Sequence, residues 1–532
     1  MNAMMIAGFL FFAGIVVFTS WYRAGNARVN TLNKLFFANR SLGFVLVGSG
    51  LLFTNINAAS IIGENELAYT NNMTVMAWGV SSVVAMLLVS EFIMPLYLKM
   101  GIATTPDFLT ARYGSGVGRL VSVIFLISYI FNLLPSVLYA GAVAFNGLFH
   151  FSDVLGISYP TVIVVLVWIM GTIGCIVSII GGLKAITKLD ILLGIGFFCG
   201  GILLPFFGLK YIGHGNIGEG LQQLLTKNTW HLNSIGSAHD AIPFGTMFTG
   251  MLLVNLYYWG TEQYIIQQVL SSKDLKTSQK GIALASLGKL ISPLLLNIPG
   301  IIAVHVFASM PNTAETFPRL VSMVSPPFIA GFISAIIFVA SLTTFNAGLN
   351  SSSTLFMLNI YKPWLQKRSK TVAEKKLVRT AKQFEIMICL AAMFIAPLII
   401  FVKNGFYTYV QIVNGFFNVP IFTIMFMGFV TKKVPAIAAK IGMGFFITCY
   451  ACTQLLINTH IHFLHILAIL FVLTCGLMLL IGKLYPMPIP YTLKLNNLVN
   501  ISPWENRYYY AGMLLLLMIA LFVLFSPLIL AK

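Results

Sequence analysis

The chain has 532 residues, 58% of them hydrophobic and 9% charged, with a mean hydropathy of +0.90. That is more apolar side chain than a soluble core can hide, which points to a polytopic membrane protein and excludes a soluble globular enzyme. The formal charge of +18 would suit a nucleic-acid binder, but the basic residues gather in alternate loops, with no zinc-finger spacing or aromatic ribonucleoprotein motif beside them.

Runs of about 20 or more mostly apolar residues, enough to cross a hydrocarbon core of roughly 30 Å, fall at 3–21, 44–69, 75–97, 117–148, 159–180, 189–213, 244–266, 281–308, 325–360, 384–402, 408–431, 435–457, 461–482 and 509–530. About fourteen transmembrane helices in one all-α membrane domain are therefore expected. The first run has no basic residue before it and no convincing cleavage site after it, so it reads as a retained helix rather than a signal peptide. Arg23, Arg28, Lys34 and Arg40 follow it, and Lys362, Lys367, Arg368, Lys370, Lys375, Lys376, Arg379 and Lys382 follow the ninth run. Taking alternate loops in that register collects most of the 32 Lys and Arg, which sets those loops in the cytoplasm and both termini outside.

The second run reads "LLFTNINAASIIGENELAY" (51–69) and the seventh contains "NLYYWGTEQYIIQQ" (255–268). Both break the apolar pattern with hydrogen-bonding side chains. In the seventh, Asn255, Tyr258, Trp259 and Glu262 recur at helical spacing. Each run opens a block of five spans, 44–213 and 244–431, between a first helix with its loop (1–43) and three peripheral helices (435–532). Five spans apiece force opposite orientations, so the two polar helices are expected to meet near the bilayer midplane, where discontinuous helices hold ions and substrates in secondary transporters. For any one of these residues, polar glue between helices is an equal reading; an ionisable group inside the membrane is costlier to keep.

The six cysteines, Cys175, Cys199, Cys389, Cys449, Cys452 and Cys475, lie inside apolar runs and read as free thiols. No H-E-x-x-H, G-x-S-x-G or phosphate-binding loop occurs, so an enzyme is not expected. "HIHFLH" (460–465) reads as an interfacial cluster rather than a metal site.

"FFANRSLG", "TNINAASIIG", "GIATTPDFLTARYG", "VNLYYWGTEQYIIQQVL", "SQKGIALASLGKL" and "LNSSSTLFMLNIY" together resemble the solute:sodium symporter family. "NVPIFTIMFMGF" and "VPAIAAKIGMG" are similar to its YidK-type bacterial branch. The resemblance implies a LeuT-like five-plus-five inverted-repeat core with additional helices, in a multi-pass protein of a bacterial inner membrane. It implies a sodium ion held by the carbonyls of Phe53, Ile56 and Ala340 and the hydroxyls of Thr343 and Thr344, with Asp190 near the ion path. A salt bridge from Asp190 to Lys184 or Lys188 is the plainer alternative. Where some relatives hold a second sodium, this chain has Asn346 and Ala347, which favours one ion per cycle.

For the solute, the resemblance implies contacts from Ser82, Asn255, Lys289 and Gln411, an aromatic gate of Tyr258 and Trp259, and Ser60 where the galactose symporter has glutamine. That symporter's sugar-binding glutamate falls on Gly79 here. Lys289 then needs a balancing charge from Glu64, Glu66, Glu262 or the solute's own carboxylate. The expected activity is sodium-coupled import of a small sugar or polyol by alternating access. A sugar acid, or proton coupling through Glu64, Glu66 or Asp190, is the alternative. The bilayer and the solute are the expected partners, with no nucleic acid and no obligate protein partner.

Overall fold

The computed structural model describes residues 3–24, 31–238, 240–369, 372–402, 406–457, 461–493 and 499–531, without the side chains of 17–24 and 181–189. No strand occurs among the described residues. The principal helices are α1 (Ala3–Ala24), α2 (Phe44–Asn55), α3 (Ala58–Thr70), α4 (Met73–Met100), α5 (Ser115–Phe149), α6 (Tyr159–Ile212), α7 (Gly250–Gly260) and α8 (Gln263–Leu270). They are followed by α9 (Leu275–Val306), α10 (Pro327–Lys367), α11 (Glu374–Phe401), α12 (Phe406–Val430), α13 (Ala436–Leu456), α14 (Phe463–Leu484) and α15 (Arg507–Leu524).

Among the described residues the count of fourteen spans is not reached. Eleven described stretches are long and apolar enough to cross a membrane, and the bent pair α2–α3 makes twelve. The two remaining expected spans fall on α1, whose described apolar part is the short Ala3–Val16, and on α7–α8, which is interrupted at Thr261–Glu262. The spans 159–180 and 190–212 join into the single 54-residue element α6. A straight helix of that length would measure about 81 Å at 1.5 Å per residue, far beyond the membrane. Gly174 packs on Phe345 and Asp190 neighbours Thr343, two positions apart on α10, so the halves of α6 lie side by side.

Burial separates core from periphery. In the most apolar stretch of α10, 78% of residues are buried, against 6% in α15. The sequence of α10 explains its place: "ASLTTFNAGLNSSST" is rich in Ala, Ser, Thr and Gly, which let α5 and α6 approach closely, while α1 meets α10 nearer its start, at Gly331. The same device seats α2 on α9, where Gly48 faces the Gly281 carbonyl and a methyl at either position would collide with the opposite helix. That contact fixes Lys289, on α9, beside the end of α2.

Candidate functional site

The link between α2 and α3 is set by a side chain rather than by proline or glycine. Asn57 Oδ1 accepts from the Ser60 N–H at 3.0 Å and starts α3 as its N-cap, with the two axes bent by 55°. The turn leaves the carbonyls of Phe53, Thr54, Asn55 and Ile56 without the N–H four residues on. Side chains satisfy two of them: Ser60 Oγ donates to Asn55 O at 3.1 Å, and Thr344 Oγ1 donates to Thr54 O at 2.9 Å. Among the described residues, the Phe53 and Ile56 carbonyls have no hydrogen-bond donor.

Thr344 thus stands against the break from 290 positions away in the chain. Thr343 is equally buried and turns its hydroxyl to Ala340 O at 3.2 Å, the local back-bonding common to Ser and Thr in helices. Three carbonyls and two hydroxyls on facing helices are a donor set suited to a hard cation. Asp190, fully buried, lies next to Thr343, and among the described residues no donor comes within hydrogen-bonding geometry of either of its oxygens. The side chains of Lys184 and Lys188 lie outside the described residues.

Beside this break is a cavity of about 140 Å³ lined by all seven residues singled out above for a solute, Ser60, Ser82, Asn255, Tyr258, Trp259, Lys289 and Gln411. Lys289 Nζ donates to Asn55 Oδ1 at 2.8 Å. Asn255 Nδ2 donates to Ser81 Oγ at 3.2 Å, and Gln411 Oε1 accepts from Asn414 Nδ2 at 3.2 Å. Aromatic faces come from Trp78, Tyr258, Trp259 and Tyr407. Amides and hydroxyls beside flat rings suit a ligand with both hydroxyl groups and C–H faces.

The spacing of Asn255, Tyr258, Trp259 and Glu262 suggests one continuous helical face, but α7 ends at Gly260. Glu262 starts the next helix: its carboxylate accepts from the Gln263 N–H at 3.1 Å, from Tyr257 OH at 2.7 Å, and from Tyr129 OH. Glu262 still borders the cavity, with its acceptor capacity largely spent. Below it, Tyr264 OH donates to Tyr258 OH at 3.0 Å. Glu66 is not among the lining residues; it accepts from Thr313 Oγ1 at 2.5 Å and has no part in balancing Lys289. Glu64 does line the cavity.

Asn55, Tyr129, Asn132, Tyr407 and Asn414 also line the cavity and were not anticipated. Asn55 stands in the quoted "TNINAAS", so its signal was present. Tyr407 had none, since its importance comes from a contact: its ring covers Gly63 so closely that a methyl there would overlap it. Overpacking of this kind costs about 1–3 kcal/mol. Gly63→Ala is therefore expected to push Tyr407 or α3 aside and raise the solute half-saturation concentration about three- to tenfold, at unchanged protein level, in an uptake titration. Of "HIHFLH", His462 Nε2 lies 3.1 Å from Ala241 O and His465 Nδ1 3.0 Å from Thr249 Oγ1; His460 is outside the described residues.

The sodium:solute symporter family matches residues 35–445. The chain is 38% identical over 506 residues, 95% of this chain and 88% of the relative, to a protein of Escherichia coli K12 described as the uncharacterized symporter YidK. It is 28% identical over 433 residues, 77% of each chain, to the sodium/glucose cotransporter of Vibrio parahaemolyticus. Among solved structures, a Na+-coupled sialic acid symporter in a substrate-bound outward-open state superposes with a TM-score of 0.77 at 17% identity, covering 93% of this chain and 100% of that one.

Proposed function

Because the chain belongs to the sodium:solute symporter family, we propose that its sodium-coupled transport carries a small sugar or polyol inward by alternating access, through the cavity between α3, α7, α9 and α12. The protein is a multi-pass membrane transporter rather than an enzyme, its core has the LeuT-like fold, and sodium is its coupling ion. In this reading residues 44–213 and 244–431 form the two inverted repeats, both termini lie outside, and the membrane is the bacterial inner membrane.

The observation that carries the proposal is the adjacency of two sites on one broken helix. At the α2–α3 link Thr344 donates to the Thr54 carbonyl, while the Phe53 and Ile56 carbonyls carry no hydrogen bond among the described residues; the link also borders the polar and aromatic cavity through Asn55 and Ser60. An ion at the link and a solute in the cavity would order the same few residues, so each would favour the binding of the other. Sodium entering a negative interior gains roughly 2.3 kcal/mol per 100 mV, which drives accumulation of the solute. Ser60, Ser82, Asn255, Lys289 and Gln411 are the solute's hydrogen-bonding partners, Tyr258 and Trp259 its aromatic floor, and Asp190 a way-station for the departing ion.

The test is uptake by the purified protein in vesicles carrying an inward sodium gradient, screened against hexoses, polyols and their acids. Accumulation of at least one neutral member, abolished when choline replaces sodium, is expected. Uptake that follows a proton gradient and ignores sodium would overturn the site at the α2–α3 link.

A further inference from the structure

We propose that Glu64 is the acidic partner of Lys289, and that the two select an uncharged solute with neighbouring hydroxyls, one donating to the Glu64 carboxylate and the next accepting from the Lys289 ammonium. This rests on the sodium-driven uptake proposed above and names the chemistry of its solute.

Among the described residues, three charged side chains line the cavity: Glu64, Glu262 and Lys289. Glu262 already accepts from two phenols and a backbone N–H. Glu64, on α3, is 4% exposed, yet neither oxygen receives a hydrogen bond from the described residues, and Oε2 is sealed from solvent. A buried carboxylate with no donor is among the costliest arrangements a membrane protein can hold, so it marks a position kept for a ligand. Lys289 is likewise 4% exposed and commits one of its three donors, to Asn55. The fields of Glu64 and Lys289 reach one another, but Lys289 makes no ion pair within 4.0 Å among the described residues.

The two charges therefore face the same space without neutralising each other by contact. A vicinal diol meets both, because a hydroxyl donates as well as accepts, and bonds to charged partners are the strong ones. A solute carrying its own carboxylate would satisfy Lys289 but meet Glu64 as a like charge. A solute carrying an amine would meet the converse. The opposing wall explains why the acid comes from α3: at Gly79, a Cβ would collide with the Pro293 ring and approach the Lys289 carbonyl, so α4 has no room for an acidic side chain there.

The experiment compares wild type, Glu64→Gln and Glu64→Asp in vesicles carrying an inward sodium gradient, with neutral hexoses and hexitols set against the matching uronic acids. Sodium-dependent quenching of the intrinsic fluorescence, from Trp78 and Trp259 in the cavity wall, shows that each variant is folded. Wild type is expected to accumulate neutral members and exclude the uronates. In Glu64→Gln the half-saturation concentration for the neutral solute should rise at least tenfold while uronate uptake appears; Glu64→Asp should keep the wild-type selectivity. Glu64→Gln with unchanged selectivity, or Glu64→Asp that behaves like Glu64→Gln, overturns the inference. Wild type that prefers uronates also overturns it and leaves sodium-driven uptake standing. Wild type that moves no member of the panel with sodium overturns the transport reading itself.

Discussion

Replacing Thr344 by alanine is expected to abolish sodium-stimulated uptake while leaving the protein folded in the membrane. In the structure this hydroxyl makes one hydrogen bond, to the Thr54 carbonyl at 2.9 Å, and losing such a bond costs about 0.5–1.5 kcal/mol. Set against a typical stability of about 5–15 kcal/mol, that is tolerable. The ion would lose more. Thr344 is the hydroxyl that reaches across from α10 to the break, whereas the hydroxyl of Thr343 is turned to Ala340 within its own helix. A hard cation offered one oxygen fewer binds more weakly; a tenfold rise in the sodium concentration for half-maximal uptake corresponds to about 1.4 kcal/mol, and the loss here should be at least that. Thr344→Ser keeps the oxygen and should keep most of the uptake. Uptake titrated against sodium for the three proteins decides the matter: equal sodium curves for wild type and Thr344→Ala would place the ion elsewhere.

Much of the site was legible because polar residues inside apolar runs are too expensive to be incidental. "TNINAAS" and "YYWGTEQ" stand out for that reason, and both prove to be breaks in helices, each started by a capping side chain, Asn57 or Glu262. Periodicity misled at the second break. It treats Asn255 to Glu262 as one face, but a carboxylate that caps its own next residue ends that helix. The choice among Glu64, Glu66 and Glu262 as a counter-charge was partly open to sequence reasoning. Residues two apart on a helix do not share a face, so Glu64 and Glu66 cannot both look into the cavity, and the structure turns Glu66 to Thr313. What no pattern could supply were pairings across distant segments, such as Asn132 with Asn414, 282 positions apart at 2.7 Å, or the Tyr407 ring over Gly63. The count of spans suffered from the same limit, since a helix interrupted at its most polar point no longer passes a test of length.

Glu262→Ala should be the most destructive single change in the cavity, and its damage should appear in stability before transport. The carboxylate joins three helices: Tyr129 on α5, Tyr257 on α7 and the first N–H of α8 at Gln263. Both phenols are fully buried or nearly so. Removing their acceptor leaves two donors unmet, at about 1–3 kcal/mol each, and removes the cap of α8, worth about 1 kcal/mol. Even allowing for non-additivity, this approaches half of a typical stability of about 5–15 kcal/mol. The thermal midpoint in detergent should therefore fall by several degrees or more, with less folded protein recovered. Glu262→Gln retains one carbonyl acceptor and the side-chain volume, so an intermediate loss is expected. Were Glu262 instead the counter-charge of Lys289, its removal would alter solute selectivity and barely move the midpoint. Melting curves for both variants beside Glu64→Gln separate the two roles: a midpoint for Glu262→Ala equal to wild type would contradict the bracing role and return Glu262 to the solute site.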